Sequence, residues 1–264
     1  MTDLAPPPNP ADLFDVTDKV VVVTGGTRGI GRMIAGGFVA GGADVIVSSR
    51  KADACEETAA ALSEHGRCTA IPADLSTEAG AKALADSVAA IRDHVDVLVN
   101  NAGATWGVPL AEHDAASWSR VLDLNVQGVF HTTKFLLPLL QAAASTDAPA
   151  RVINIGSIDG LRAPVIETFS YGASKAAVHH LTRHLAKFLA PEITVNAIAP
   201  GPFESKMMAA TLDAFGDQIA ASAPMKRIGR PDDMAGTALF LASRAGAYLT
   251  GTVIPVDGGI STTA

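Results

Sequence analysis

The residues best suited to chemistry in this sequence are Tyr171 and Lys175, which stand four positions apart in a run predicted to be helical. Residues at this spacing lie on one face of a helix, so the two side chains can serve the same site. A free tyrosine has a pKa of about 10, and a neighbouring cation favours its phenolate form. The pair can therefore act as a proton donor or acceptor. On its own, the pair also fits an aromatic side chain beside a solvated amine.

A glycine-rich octet at residues 24–31, TGGTRGIG, has the composition of a turn that binds a dinucleotide. It follows a predicted strand and precedes a predicted helix, where glycines allow backbone to approach a pyrophosphate and free N–H groups favour anions. The spacing is Gly-x-x-x-Gly-x-Gly rather than Gly-x-Gly-x-x-Gly, and a glycine-rich turn without a ligand is the alternative. The expected cofactor contacts here are Gly25, Thr27, Arg28, Gly29, Ile30 and Gly31.

The end of the second predicted strand indicates which nicotinamide cofactor is bound. An acidic residue there would bind the ribose 2′-hydroxyl, whereas arginine accommodates a 2′-phosphate. The sequence places Ser49 and Arg50 at this point, while Asp44 begins the strand and so lies at its wrong end. Arg28 adds a second guanidinium within the glycine-rich turn, and arginine binds phosphate in a fixed fork. We therefore expect NADP as the cofactor, the alternative being two solvated arginines.

These motifs need a scaffold, and the sequence predicts one in which apolar strands alternate with helices. Such alternation implies right-handed βαβ units around one parallel sheet. The expected fold is α/β, a single-domain Rossmann fold with a doubly wound parallel sheet of about seven strands and helices on both faces. The predicted strands are residues 19–24, 44–48, 68–72, 95–99, 152–155, 194–198 and 252–256. The predicted helices include residues 52–65, 118–144, 171–189 and 231–242, together with one that ends near residue 40.

Composition narrows the class of protein. The 264 residues carry a net charge of −7 and are 48% hydrophobic, without a run of 18 apolar residues, so neither a nucleic-acid surface nor a membrane span is expected. The two cysteines lack metal-like spacing and fit a reduced, cytoplasmic setting. We expect a flexible arm over residues 1–17, one domain over residues 18–264 and a substrate flap near residues 202–225.

Over residues 19–259 the chain resembles the short-chain dehydrogenase/reductase family. The resemblance rests on motifs in the family's order, which are the 24–31 turn, Asp74-Leu75, Asn100-Asn101-Ala102-Gly103, Asn125, Ser157, Tyr171 to Lys175, Pro200-Gly201 and Asp257-Gly258-Gly259. The family implies a homo-oligomer, a tetramer or a dimer. It also implies cofactor contacts from Asp74, Leu75, Asn101, Ala102, Gly103, Tyr171, Lys175, Pro200 and Gly201. Ser205 stands where many relatives carry threonine.

The resemblance implies four catalytic residues, Asn125, Ser157, Tyr171 and Lys175, and the chemistry of carbonyl reduction accounts for them. A carbonyl that accepts hydride develops negative charge on its oxygen and needs donors aimed at it. Ser157 follows a buried strand and Tyr171 carries a proton. The family suggests that Lys175 lowers the Tyr171 pKa and that Asn125 holds a water in a proton relay.

Other polar and apolar groups remain open at this stage. His180 and His184 share a helix face but lack a third ligand, so no metal site is expected. Asp159 either contacts substrate or caps a turn. The predicted helix over residues 118–144 is apolar enough to form an oligomer face, or else belongs to the core.

The function expected from these residues is NADPH-dependent reduction of a carbonyl to a secondary alcohol. In the flap, Met208, Leu212 and Phe215 form one apolar stripe of a predicted helix. Phe203, Met207 and Met225 add further apolar surface. This surface could cover an aliphatic substrate chain, or the helix could simply pack on the core of the protein. Residues 100–106, 148–155 and 245–251 resemble the 3-ketoacyl reductases, a branch that includes an enzyme linked to rhamnolipid synthesis. A 3-ketoacyl thioester is therefore the expected substrate. The alternatives are oxidation of a sugar, steroid or other secondary alcohol, and a non-catalytic NADP-binding sensor or scaffold.

Overall fold

A seven-stranded parallel sheet forms the centre of the protein. The computed structural model describes residues 8–205 and 208–263, apart from the side chains of residues 209–212. The strands are β1 (Val20–Thr24), β2 (Asp44–Ser48), β3 (Arg67–Ala70), β4 (Val97–Asn100), β5 (Ala150–Ile155), β6 (Ile193–Pro200) and β7 (Val253–Val256). Their order is β3-β2-β1-β4-β5-β6-β7, and every neighbouring pair is parallel. The expected doubly wound sheet is confirmed.

Helices cover both faces of this sheet because its strands are apolar on both sides. Val21 and Val23 face one core layer, whereas Val20 and Val22 face the other, as the two-residue period of a strand requires. The helices are α1 (Pro10–Leu13), α2 (Gly29–Ala40), α3 (Ala52–Ser63), α4 (Glu78–Ala89), α5 (Ala115–Leu122), α6 (Gly128–Ala143), α7 (Phe169–Leu189), α8 (Ala209–Ser222) and α9 (Pro231–Ala242). The first layer takes residues from α2, α3 and α9, and the second from α4, α6 and α7. Within the described ranges, no helix is both long enough and apolar enough to cross a membrane.

The sheet reverses its direction of winding between β1 and β4. The crossover from β1 leads to β2 on one side, whereas β4 begins the other half of the sheet. In an open parallel sheet, a crevice forms at such a switch point, outside the carboxyl ends of the strands. The octet after β1 and the segment after β4 therefore face each other across this crevice.

The expected long helix over residues 118–144 is interrupted by a π-helical turn, Asp123–Gln127, between α5 and α6. Such a turn contains one more residue than an α-helical turn, and π turns are frequent at functional sites. Asn125 lies in its middle and is buried. Apolar periodicity could not have predicted this local change of hydrogen-bond register.

The amino-terminal segment differs from the flexible arm expected over residues 1–17. Residues 1–7 lie outside the described chain, but α1 is helical and the Phe14 ring lies 6.4 Å from that of Phe240 in α9. Val16 is 2% exposed and belongs to the core layer that contains α2. Phe14 is 51% exposed, so the buried Val16 is what ties this segment to the packed domain, which therefore begins before residue 18.

The flap is attached to the domain at a narrow neck. Phe203 forms an isolated parallel bridge with Gly229, and the N–H of Gly229 donates to the Pro202 carbonyl oxygen at 2.9 Å. The Phe203 ring is buried and fills the space that a side chain at position 229 would need. Phe203 is therefore an anchor of the flap and not part of its free apolar surface.

Candidate active site

The glycine-rich turn packs tightly at the carboxyl end of β1. Gly25 has a φ of +63°, a conformation that favours glycine, and a Cβ on Gly31 would collide with the Asn101 side chain and the Gly25 carbonyl. Helix α2 starts at Gly29 without a side-chain cap, since Arg28 at the N-cap makes none. Free N–H groups at the start of a helix suit a phosphate. This geometry matches the predicted dinucleotide turn.

Asn101 holds the turn in place from the opposite side of the crevice. Its Nδ2 donates to the Thr24 and Gly25 carbonyl oxygens at 2.9 and 3.1 Å. Ala102 lies alongside, and its N–H donates to the Thr24 hydroxyl at 3.0 Å. A Cβ built on Gly103 would lie 3.3 Å from Asn125 Oδ1 and 3.7 Å from Lys175 Nζ. The segment 101–103 thus connects the turn with the predicted catalytic residues.

The groups predicted to select the cofactor lie beside the turn. Arg28 and Arg50 are exposed, and neither makes an ion pair within the described chain. Burial raises the pKa of Asp74, but hydrogen bonds from Ser76 and the charge of Arg50 outweigh it, so its pKa lies below the ordinary value. The Ser49 hydroxyl lies 3.2 Å from the Cys55 thiol. The Leu75 side chain is buried in the core, so only its backbone remains for a ligand.

Helix α7 carries Tyr171 and Lys175 on one face, as their spacing predicts. The Lys175 ammonium lies 5.5 Å from the centre of the Tyr171 ring and donates to the Ile155 carbonyl oxygen at 2.8 Å. Because Lys175 is buried, its pKa falls to about 8. Burial raises the pKa of Tyr171 to about 12; a hydrogen bond with Ser157 acts in the lowering direction, and the charge of Asp159 acts in the raising direction.

The expectation that Lys175 lowers the Tyr171 pKa is therefore wrong for this structure. The ammonium is directed to a backbone carbonyl at the end of β5, and burial of the phenol dominates. A tyrosine with a raised pKa keeps its proton at neutral pH. Tyr171 therefore holds a proton that it can donate at neutral pH.

Ser157 stands just past the carboxyl end of β5, at the N-cap of a short 3₁₀ helix, Ile158–Gly160. Its Oγ accepts a hydrogen bond from the Asp159 N–H at 3.1 Å, which leaves the hydroxyl proton free to be donated elsewhere. With the Tyr171 hydroxyl as its neighbour, Ser157 contributes one of two O–H donors at the same point. Two such donors suit a carbonyl oxygen that gains negative charge.

Asn125 connects the segment after β4 with helix α7. Its Oδ1 accepts from the Ala104 N–H at 2.8 Å, and its Nδ2 donates to the Ala104 carbonyl oxygen and to Ser174 Oγ, each at 2.9 Å. Ser174 immediately precedes Lys175 in α7. The structure therefore brings all four predicted catalytic residues into one region, and the water-holding role of Asn125 stays a prediction.

The sheet's last two strands complete the crevice. Gly201 follows β6, and a Cβ there would overlap Asp257, which accepts from the Gly259 and Ser261 N–H groups at 2.9 and 2.7 Å. Pro200 is the last residue of β6. Ser205 lies against the glycine-rich turn, 3.1 Å from a Cβ built on Gly29. The start of the flap thus borders the expected cofactor site.

The flap itself only partly matches the predicted apolar stripe. Phe215 and Met225 are 54% and 63% exposed and are therefore free to meet a ligand. Met207 and the side chain of Leu212 lie outside the described residues. The segment between the 3₁₀ helix and α7 adds exposed apolar residues, namely Leu161, Val165 and Ile166.

A buried histidine that the sequence interpretation missed, His179, packs against the glycines on either side of Ser157. His179 is 3% exposed, neither of its ring nitrogens has a partner among the described residues, and its ring closely contacts Gly156 and Gly160. Burial lowers its pKa to about 4, assisted by the charges of Lys175 and Arg183 against an opposing backbone interaction with Gly160. His180 and His184, which the sequence singled out, are exposed. His179 follows Lys175 by four residues in α7, and this spacing could have predicted that the two side chains share one face of the helix.

Comparison with known proteins identifies relatives of this chain. The family model described as Enoyl-(Acyl carrier protein) reductase matches residues 25–261. The chain is 50% identical over 252 residues to the rhamnolipids biosynthesis 3-oxoacyl-(acyl-carrier-protein) reductase of Pseudomonas aeruginosa, with 93% of this chain and 97% of that protein covered.

Solved structures give the same picture of the fold. The Pseudomonas aeruginosa RhlG/NADP active-site complex matches with a TM-score of 0.92 at 48% identity, covering 95% of this chain and 99% of that one. A gluconate 5-dehydrogenase from Burkholderia cenocepacia, solved with NADP and tartrate, matches with a TM-score of 0.89 at 29% identity, covering 97% and 100%. The resemblance inferred from the motifs is confirmed.

We predict that His179 makes the protein less stable in acid. Its pKa is about 4 when folded and 6.5 in its ordinary state, so the unfolded chain binds the proton more readily. Stability due to the neutral imidazole is present above about pH 6.5 and is lost as the pH falls toward 4. Urea unfolding across this range should show a smaller loss of stability in His179→Leu than in the wild type. The exposed His180→Leu is the matched control, and equal pH slopes for all three proteins would contradict the prediction.

Proposed function

The chain belongs to the short-chain dehydrogenase/reductase family, and from that premise we propose that it reduces a ketone to a secondary alcohol with NADPH. The observation that carries this proposal is the pairing of the Ser157 and Tyr171 hydroxyls at the carboxyl end of β5. The proposed substrate is a 3-ketoacyl thioester or a related β-keto compound. The relative of Pseudomonas aeruginosa that is named a 3-oxoacyl-(acyl-carrier-protein) reductase supports this class.

The residues around the glycine-rich turn fit NADP. The first N–H groups of α2, which lack a side-chain cap, suit the charge of a pyrophosphate, and the glycines at positions 25 and 31 let the turn pack closely against Asn101. Arg28 and Arg50 supply exposed guanidinium groups for a 2′-phosphate. When bound, NADPH supplies the hydride. The proposed contacts are those predicted from the sequence, with Leu75 restricted to its backbone.

In this proposal the chain's own residues bind and protonate the carbonyl oxygen. Ser157 donates its hydroxyl proton as a hydrogen bond, because its Oγ already accepts from Asp159 N–H. Tyr171 transfers its proton to the oxygen, and its high pKa keeps that proton in place at neutral pH until negative charge develops. Lys175, with a pKa of about 8, is largely protonated at neutral pH and supplies positive charge beneath the site.

Two alternatives compete with this proposal, and a structural relative supports the first of them. Oxidation of a sugar, a steroid or another secondary alcohol is supported by the gluconate 5-dehydrogenase among the structural relatives. A non-catalytic NADP-binding sensor would need only the turn and the arginines. The complete set of Asn125, Ser157, Tyr171 and Lys175 favours an enzyme over a sensor.

We further propose a cytoplasmic homo-oligomer, a tetramer in preference to a dimer. Trp118 on α5 and Phe130 on α6 are 37% and 43% exposed, and both helices border the π turn that holds Asn125. Exposed aromatic side chains are enriched at protein interfaces. A second copy of this chain would cover them.

We predict that Tyr171→Phe removes activity and leaves cofactor binding intact. The change deletes the proton-bearing oxygen but keeps the ring, so kcat should fall by roughly 10²–10⁴-fold while the Kd for NADPH changes by less than about threefold. The readouts are steady-state kinetics and fluorescence titration of NADPH. The only other tyrosine, Tyr248, is fully exposed, so Tyr248→Phe is the control. Retention of more than a few per cent of the wild-type rate would exclude Tyr171 as the acid.

Arg50→Ala should weaken NADPH binding and leave NADH binding nearly unchanged, and adding Arg28→Ala should deepen the loss. A charge-assisted contact is worth about 1.5–3 kcal/mol, which corresponds to a change in Kd of roughly tenfold or more. Arg244→Ala removes an equally exposed guanidinium after α9 and serves as control. If both cofactors lose affinity equally, the two arginines do not recognise the 2′-phosphate.

The substrate proposal predicts that turnover rises with acyl chain length. The exposed apolar residues Phe215 and Met225 on the flap, and Val165 and Ile166 before α7, offer a longer chain more surface to bury. We would assay acetoacetyl through longer 3-ketoacyl thioesters beside a panel of sugars and steroids, following consumption of NADPH. Faster turnover of any sugar or steroid than of every ketoacyl compound would exclude the proposed substrate class.

A further inference from the structure

Asp159 lies beside the segments that carry the two hydroxyl groups of the proposed catalytic site. Its N–H donates to Ser157 Oγ at 3.1 Å, which fixes its backbone to the first hydroxyl. Its carbonyl oxygen lies 3.3 Å from a Cβ built on Gly172, the residue after Tyr171. Asp159 therefore sits against the segments that carry both proton donors.

The Asp159 carboxylate lacks the hydrogen bonds that other aspartates in this protein receive. It is half-buried, and no donor reaches it within the described residues. By contrast, Asp74 accepts two hydrogen bonds from Ser76, and Asp257 accepts from two N–H groups. A half-buried carboxylate without donors costs stability. Its presence here calls for a role outside the fold itself.

The charge of this carboxylate extends to the point where the substrate carbonyl must bind. Asp159 is, after burial, a second cause of the raised pKa of Tyr171. Burial also raises the pKa of Asp159 itself, and Arg162 opposes that effect without forming an ion pair within the described chain. Asp159 therefore contributes a negative potential at the Tyr171 hydroxyl, opposite in sign to that of the Lys175 ammonium.

We propose that Asp159 determines specificity by excluding substrates that carry a carboxylate next to the reacting carbonyl. Like charges at close range in a partly desolvated site repel strongly, whereas a neutral thioester or ester meets no such penalty. The inference rests on the proposed function and narrows it, since it selects neutral acyl derivatives over free keto acids.

The test compares two substrates that share a ketone and differ in charge, ethyl acetoacetate and acetoacetate. At neutral pH the wild type should favour the ester in kcat/KM by about tenfold or more, and Asp159→Asn should narrow that ratio at least about fivefold. Asp147→Asn removes the same charge from an exposed loop before β5 and should leave the ratio unchanged. A ratio in Asp159→Asn within twofold of the wild type overturns the proposal.

A second measurement distinguishes this role from a structural one. If the carboxylate lacks donors, Asp159→Asn should raise the thermal unfolding midpoint by about 2 °C or more, while Asp147→Asn should not change it. A lower midpoint in Asp159→Asn would mean that the carboxylate supports the fold, and it would overturn the proposal.

A third measurement needs no turnover and separates this inference from the proposed function. If the wild type reduces neither acetoacetate compound nor any longer 3-ketoacyl thioester, the proposed function fails. Exclusion of anions is then decided by the binding of hexanoate and hexanamide to the enzyme–NADP complex in calorimetry. Tighter binding of the amide by the wild type, with a narrower difference in Asp159→Asn, supports the role of Asp159. An equal difference in both proteins overturns it.

Discussion

A buried hydrogen-bond network across the switch point connects the two halves of this protein. The Thr24 hydroxyl donates to the Val99 carbonyl oxygen at 3.2 Å and accepts from the N–H groups of Asn101 and Ala102. The Asn101 side-chain amide donates two hydrogen bonds, to the carbonyl oxygens of Thr24 and Gly25 at the start of the glycine-rich turn. Because these groups are buried or partly buried, any unpaired member would cost free energy, and the turn is thereby held at a fixed distance from β4.

Buried hydrogen bonds also connect the segment after β4 with the proposed catalytic helix α7. Asn125 satisfies both backbone groups of Ala104 and reaches Ser174 on α7, beside Lys175. Its position in a π turn directs the amide toward the segment after β4. One buried amide thus couples the loop that borders the proposed cofactor site to the helix that carries the proposed proton donor.

The sequence was sufficient for the features that depend on local pattern. Apolar runs located the strands to within a few residues, and the glycine spacing identified the turn after β1. It was insufficient where tertiary burial decides the outcome. The direction of the Tyr171 pKa follows from the packing around the phenol, and the core position of Val16 depends on contact with α2. The π turn depends on hydrogen-bond register, which apolar periodicity does not encode.

The neck at Phe203 and Gly229 has a consequence for how this fold can be re-engineered. A backbone bridge and a buried ring close residues 204–228 into a loop whose two ends are already together. The entropy of closing a loop changes only slowly with its length once the ends are fixed. The exposed part of helix α8 is therefore where insertions or grafted sequences would disturb the sheet least, whereas Ser205 against Gly29 and the buried Ala223 tie the two ends of the segment to the rest of the fold.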